Sequence, residues 1–355
     1  MNKDIIVGSF SDTHVKTHKK NSRFFDDHVA PAFETFYDEC IKRNVDIVVH
    51  CGDFYHLKDI VTTEALVKSF RLARKISEKF PTFYLVGNHD SFIKNEHSMH
   101  LLETFKPIST VIDMDYEYKD INDNIRFHFI PYLSEDKYVD VINNKVCLLK
   151  NGKNFLFSHV GIRGFTMQVD GYTDQYTRVH KGMFKKFDWA WFGHFHFHQT
   201  QDNCTYISSP FQSRHGDEKG DHGFVFFNTN EPEKFEFVEN KKTPRFITIT
   251  LEKKNLELIN NLENHFIRLI IRDKKIGQDL LIRFREKLKK KNYDVRYIYD
   301  YINKISDTKI ATIEGWQDIV HEDPEEILTK WVVENEENIE FDINKLLSII
   351  IDVKD

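Results

Sequence analysis

Asp4 to Phe10 (DIIVGSF) is a short β-branched apolar run that breaks at Ser11-Asp12, the pattern of a buried strand entering a loop. Residues 24–43 carry helical spacing. Val45 to Val49 predicts a second strand, ending in a loop at Cys51-Gly52-Asp53. Residues 62–79 (TTEALVKSFRLARKISEK) predict an amphipathic helix. Phe83 to Val86 predicts a third strand, ending at Gly87-Asn88-His89-Asp90. This strand–loop–helix rhythm predicts an α/β fold. From about 110 to 240 short β-like segments dominate: 125–130, 155–158, 189–192, 204–208 and 223–228. Mixed sheets stacked in a sandwich with helices outside would accommodate them. Lys241-Lys242-Thr243-Pro244 looks like a linker. After it, strands at 246–251, 265–272 and 294–299 alternate with helices at 254–262 and 277–290, the outline of a small α+β module. A helix is expected over 323–333, where Asp323-Pro324-Glu325-Glu326 suits a helix start. An apolar stretch follows at 343–351.

The chain of 355 residues is 40% hydrophobic and 30% charged, which argues against disorder, collagen and a membrane-spanning protein. The four cysteines form no C-x-x-C pair and are expected as free thiols in a reducing compartment. Met1-Asn2-Lys3-Asp4 leads straight into Ile5-Ile6-Val7, unlike a signal peptide. No apolar run approaches the roughly 20 residues that span a bilayer. A cytosolic protein is expected, with no membrane partner. The net charge of −6 hides an uneven distribution. Residues 241–304 hold 17 Lys/Arg against 8 Asp/Glu, whereas 305–355 hold 4 against 14. A basic module and an acidic tail thus follow a mildly acidic body, and the basic module keeps nucleic acid open as a partner.

Five polar clusters each follow a strand-like run: Asp12-Thr13-His14, Gly52-Asp53, Gly87-Asn88-His89-Asp90, Ser158-His159 and Gly193-His194-Phe195-His196. In α/β sheets ligands bind beyond the carboxyl ends of strands, so five such clusters can converge. Any one alone is commonly a turn or a loop start. Together they supply Asp, Asn and His donors without a thiolate, a set suited to Mn, Fe or Zn. Seven side chains are too many for one ion and about right for two, if one carboxylate bridges. Two ions about 3.5–4 Å apart serve in-line attack on phosphorus.

The ordered set D-x-H, G-D, G-N-H-[D/E], H and G-H-x-H resembles the calcineurin-like metallophosphoesterase superfamily over about residues 5–230. The resemblance implies a four-layer α/β/β/α sandwich. It implies one ion held by Asp12, His14, Asp53 and His196, and another by Asp53, Asn88, His159 and His194. Gly52-Asp53-Phe54-Tyr55-His56 looks like the nuclease subunit of SbcCD-type double-strand-break repair complexes, where the His positions the substrate phosphate. Phosphoprotein phosphatases of the superfamily read G-D-x-V-D-R-G here, and this chain does not. Tyr206-Ile207-Ser208-Ser209-Pro210, then Gly216-Asp217-Glu218 and Gly223-Phe224, resemble the same nucleases, most of all the short versions of large tailed phages. Ser208 departs from the family's usual Gly, which allows positive φ.

By this resemblance, residues 1–240 form the nuclease domain and 241–304 a basic α+β DNA-capping domain. Residues 305–355 form an acidic segment with helical character that docks an SMC-like coiled-coil ATPase. Lys and Arg in the basic module would supply sequence-independent phosphate contacts. Two Mn2+ are implied, with Mg2+, Fe2+ or Zn2+ as alternatives. The implied activity is 3′→5′ exonuclease and single-strand endonuclease action in DNA end processing, repair or recombination. A homodimer is implied, with the 62–79 helix a candidate interface, in the cytosol of a host cell if the chain is phage-encoded. A metal-activated water would attack phosphorus, with His56 stabilising phosphoryl oxygens, His89 protonating the leaving oxygen and Asp90 orienting His89. An esterase acting on phosphoproteins or cyclic nucleotides is the alternative. His18, His28, His97, His100, His180, His215, His222 and His321 are expected at the surface or in loops. His128 is expected to be packed or half-exposed, His198 is a possible support for the site, and the role of His50 stays open.

Overall fold

The computed structural model describes residues 4–16, 24–58, 60–91, 99–167, 173, 175–251, 264–271, 286 and 294–299. The expected strands at 4–10, 45–49 and 83–86 form β1 (Ile6–Phe10), β2 (Ile47–His50) and β3 (Thr82–Leu85), which pair in parallel. β4 (Thr110–Ile112) extends the sheet beyond β3. On the other side, β11 (Gly223–Asn228) and β12 (Glu236–Glu239) pair antiparallel, giving the order β12-β11-β1-β2-β3-β4. The second sheet contains β5 (Glu117–Asn122), β6 (Ile125–Ile130), β7 (Lys153–His159), β8 (Trp189–Gly193), β9 (Gln199–Gln201) and β10 (Cys204–Tyr206). Its order is β5-β6-β7-β8-β10-β9, with β6, β7, β8 and β10 parallel. The sequence pattern missed β4, β5, β9 and β12. They are short or polar border strands with one neighbour, so no continuous apolar run marks them.

The pleat sorts side chains into three layers of packing. Phe127, Phe129, Phe155, Phe157 and Trp191 of the second sheet meet Val7, Val49, Phe83, Leu85 and Phe227 of the first. Each such fully buried ring stabilises by about 1.5–3 kcal/mol, so this layer fixes the spacing of the sheets. The alternate residues Leu156, Ala190 and Phe192 face outward under α3 (Glu135–Asp140) with Tyr138, Val141 and Ile142. The outer face of the first sheet is covered by α1 (Ala30–Arg43) and α2 (Thr63–Ser77) through Phe33, Phe36, Ala65, Ala73 and Ile76. The result is the expected α/β/β/α arrangement. Thr62 caps α2 by accepting the Ala65 N–H at 3.3 Å. α1 closes on Asn44, whose φ of 53° suits a left-handed cap.

Beyond β12, Thr243 and Pro244 of the expected linker are buried. The chain passes directly into β13 (Phe246–Leu251), which pairs in parallel with β14 (Phe266–Ile271), itself parallel to β15 (Asp294–Tyr299). The helix expected at 254–262, that at 277–290 apart from residue 286, the 323–333 helix, the 343–351 stretch, His18, His97 and His321 lie outside the described residues. All four cysteines are free, and Cys40, Cys51 and Cys204 are buried.

The expectation for His28 is corrected: it is buried within a helical turn. His222 and His100 lie in connecting segments as expected, but His222 is buried, and the His100 and His215 side chains are nearly so. His28 stacks on Phe24 with centroids 4.5 Å apart and packs edge-on to Phe211. His128 is wholly buried between Tyr116 and Asn154. A polar residue type does not reveal an aromatic pocket formed by distant segments.

Candidate metal centre

Because β1, β2, β3, β7 and β8 run parallel within their sheets, their following loops collect along one edge. The loop after β1 and the loop after β2 continue the strand pairing as a backbone ladder. Asp12 N–H donates to Gly52 C=O at 3.0 Å, His14 N–H to Asp53 C=O at 3.1 Å and Val15 N–H to Phe54 C=O at 2.8 Å. This ladder holds Asp12, His14 and Asp53 at φ values of 52°, 42° and 55°, and His194 sits at 98°. Such backbone costs about 1–3 kcal/mol per residue and persists only where its surroundings force it. Four of the seven expected ligands are therefore held by the scaffold in conformations an unconstrained loop would leave.

Seven side chains converge there. His14 Nε2 lies 3.1 Å from His196 Nε2, 3.6 Å from Asp53 Oδ2 and 4.0 Å from Asp12 Oδ1. On the other side, Asn88 Oδ1 is 2.9 Å from both His159 Nε2 and His194 Nδ1, and His159 Nε2 is 3.4 Å from Asp53 Oδ1. Asp53 faces both groups, one oxygen to each. Ligands at neighbouring corners of an octahedral ion with bonds near 2.1 Å lie about 3 Å apart. The spacing therefore fits two ions sharing Asp53. His159 Nδ1–H donates to Cys51 C=O at 2.8 Å, which turns Nε2 toward the cluster, the nitrogen an ion would take once its proton has left. The His194 N–H donates to both Asp12 oxygens at 3.1 Å. Another trio, His100, Glu103 and Asp113, already holds the Lys106 ammonium, 3.0 Å from Glu103 and 2.8 Å from Asp113.

Electrostatics follows from burial and charge. Burial penalises the Asp53 carboxylate, but His159, His89 and His14 outweigh it and hold the group well below the usual carboxylate range. Burial works against a charged His159 too, yet Asp53 and then Asp12 lift it to about 9. Burial, with His159 beside it, pushes His194 down to about 3. Burial also lowers His14 and raises Asp12. The floor of the site is buried, whereas Asn88, His89, His194, His196 and His56 are partly exposed. His56 and His89 stand at this rim with rings parallel at 5.6 Å. His89 Nδ1–H donates to His56 C=O at 2.8 Å, leaving Nε2 free of that bond.

Asp90 does not orient His89 as expected. It is wholly buried, and its carboxylate accepts the N–H groups of Tyr55 at 2.8 Å, Gly87 at 2.9 Å and Phe54 at 3.2 Å. It clamps the loop after β3 to the loop after β2. His50 packs among Phe10, Phe54 and Tyr84 and reaches Thr13 Oγ1 at 3.2 Å, so it supports the first loop. His198 contacts Tyr206 C=O and the Phe237 ring, away from this cluster. Ser208 takes the positive φ of the expected Gly, 95°, and its hydroxyl accepts the Gly223 N–H at 3.1 Å. Asp217 was missed as a site residue. It is buried with Oδ1 3.6 Å from His196 Nδ1, and its only sequence signal was the Gly216-Asp217-Glu218 stretch.

Comparison with known proteins places the chain in a family. A family model described as calcineurin-like phosphoesterase matches residues 7–223. The protein named phosphoesterase 244L of Invertebrate iridescent virus 6 is 26% identical over 68% of this chain and 84% of its own. Exonuclease subunit 1 of Enterobacteria phage T4 is 23% identical over 57% of this chain and 58% of its own. The DNA double-strand break repair protein Mre11 of Sulfurisphaera tokodaii is 25% identical over 52% of this chain and 47% of its own. The match thus spans about half the length of the latter two. No helix among the described residues is long and apolar enough to cross a membrane.

Proposed function

The chain belongs to the calcineurin-like phosphoesterase family, and from that premise we propose that it is a two-metal DNA nuclease. Hydrolysis of phosphoesters follows from the family; DNA as the substrate is the proposal. The observation that carries it is the shared Asp53 between two His-rich groups, with His56 and His89 paired at the open rim. A phage exonuclease subunit and a break-repair protein among the relatives support that substrate over a phosphoprotein.

Asp12, His14, Asp53 and His196 would hold one ion, and Asp53, Asn88, His159 and His194 the other. Mn2+ is the ion we favour for this O/N donor set. Bound there, the ions would acidify water to hydroxide near neutral pH and offset charge on phosphoryl oxygens. The protein's own groups do the rest. The ladder, the Asp90 clamp and the Asp12 bond to His194 keep the donors fixed, so little reorganisation is needed. Neutral His56, pushed down to about 3 chiefly by burial, offers an N–H donor at the rim where a phosphate oxygen would arrive. His89 Nε2 is the atom that passes a proton to the leaving sugar oxygen. The basic 241–304 segment would hold the duplex backbone. A 3′→5′ exonuclease and single-strand endonuclease, working as a homodimer with an SMC-like ATPase docked on 305–355, completes the proposal.

The test is release of nucleotides from end-labelled linear DNA in Mn2+, with His89→Ala as control. Release by wild type alone, with both ions retained in the variant by elemental analysis, is expected. Hydrolysis of a phosphopeptide or cyclic nucleotide but not of DNA would favour the other esterase reading. Loss of metal in the variant would make His89 structural.

A further inference from the structure

We propose that Asp217 is a positioning residue for His196, and that its neighbour Glu218 ties it to the small β13–β15 sheet, so that the sheet's position sets how firmly the His196 ion is held. This inference rests on the two-metal reading above and deepens it.

The segment between β10 and β11 makes a single 3-10 turn at His215–Asp217. Asp217 is 1% exposed and points inward, its Oδ1 3.6 Å from His196 Nδ1. That nitrogen is buried and makes no hydrogen bond, while Nε2 of the same ring faces His14. A shift of about half an ångström would close the pair to hydrogen-bond range. A carboxylate at this position fixes the proton on Nδ1 and presents the Nε2 lone pair to an ion, as in carboxylate–histidine–metal triads. The acid is itself pinned. Its Oδ2 accepts Ser213 N–H at 2.8 Å and Ser213 Oγ–H at 2.9 Å, and its C=O accepts His222 Nε2–H at 2.9 Å.

The next side chain belongs to a different contact. Glu218 Oε2 accepts the Thr248 N–H of β13 at 2.8 Å, and its Oε1 accepts the Thr248 hydroxyl. Gln212 adds a second tie: its Oε1 accepts Phe246 N–H at 2.7 Å while its Nε2 donates to Glu218 C=O at 3.2 Å. Two adjacent acids on one tight turn thus serve a metal-facing imidazole and a sheet. Their Cα atoms are about 3.8 Å apart across a planar peptide, so little slack separates the contacts. A displacement of β13, such as loading of the basic 241–304 segment would cause, therefore reaches His196 through the turn.

The experiment uses the full chain, wild type and the variants Asp217→Ala, Asp217→Asn and Glu218→Gln. Mn2+ binding is titrated calorimetrically, and the His196 tautomer is read in metal-free protein by long-range 1H–15N correlation on histidine-labelled samples. Asp217→Ala is expected to weaken one of the two ions by about 10–100-fold and to move the His196 proton to Nε2. Asp217→Asn, which keeps shape and one acceptor, should lie between. Glu218→Gln, which touches no proposed ligand, should weaken the same ion by about five-fold or more. Wild-type affinity and tautomer in both Asp217 variants would overturn the positioning role, and wild-type affinity in Glu218→Gln would overturn the coupling. A wild type that binds fewer than two ions would refute the two-metal reading instead, and the tautomer shift would still report on Asp217.

Discussion

Replacing Gly87 by alanine tests how rigidly the strand-end loops are packed. A Cβ built at Gly87 lies 2.2 Å from the Asp53 backbone N, 2.2 Å from Asp53 Oδ1 and 2.9 Å from its Cγ. Ordinary contact begins at 3.4 Å, so one loop must retreat by about 1.2 Å. The carboxylate oxygen can swing; the backbone nitrogen cannot, because the ladder and the Asp90 clamp hold it from both sides. Overpacking of this kind costs about 1–3 kcal/mol. A 1 Å displacement of a positioned group costs on the order of 100-fold in rate. Urea unfolding should report the first, and turnover at saturating Mn2+ the second. Gly164→Ala is the control: its φ is +89° but a Cβ there meets nothing within 4 Å, so about 1 kcal/mol of stability should go with turnover unchanged. If Gly87→Ala unfolds like wild type and turns over within about two-fold of it, the loops adapt freely, and the fixed-scaffold argument fails.

Asp90→Ala leaves three buried N–H groups without their acceptor, at about 1–3 kcal/mol each, so a marked drop in denaturant midpoint is expected. Turnover lost at unchanged stability would instead restore the role of orienting His89. His28 is pushed down to about 3, chiefly by burial, so its folded form stays neutral while the unfolded chain takes a proton below the ordinary value of 6.5. Its contribution is intact above pH 6.5 and erodes as pH falls toward 3, by about 2 kcal/mol at pH 5. His28→Phe should flatten the acid limb of the stability–pH curve by that amount, and an unchanged limb would contradict it. His159, lifted to about 9, is protonated at pH 7 in metal-free protein, so Mn2+ binding should release about one proton. Calorimetric heats that do not depend on the buffer's ionisation enthalpy would rule this out.

Much of the architecture is legible along the chain because it rests on local rules. DIIVGSF and the runs at 45–49 and 155–158 are apolar enough to be buried on both faces, which is how interior parallel strands read. These runs and those at 83–86 and 189–192 each end in a polar cluster, so the order of Asp12, His14, Asp53, Asn88, His159, His194 and His196 is legible in the chain itself. Their positive-φ backbones are not, since Asp and His do not announce that conformation as Gly does; Ser208 adopts it where only Gly would have signalled it. Border strands such as β5 (EYKDIN) escaped for the same reason: with one neighbour they need no apolar pattern.

What tertiary structure alone decided are the relations between segments distant in sequence. Asp90 neighbours His89 along the chain, yet its partners are Phe54, Tyr55 and Gly87, because buried N–H groups on two loops compete for the nearest charge. His28 carries a polar side chain, yet it lies among Phe24, Phe211 and Phe266. Asp217 gained its place against His196 only when the turn after β10 folded back. Sequence determined which donors exist and at which strand ends, because hydrophobic periodicity and residue chemistry are properties of neighbours. The fold decided which donors face each other and which carboxylate merely clamps, because burial and hydrogen-bond satisfaction are settled in three dimensions.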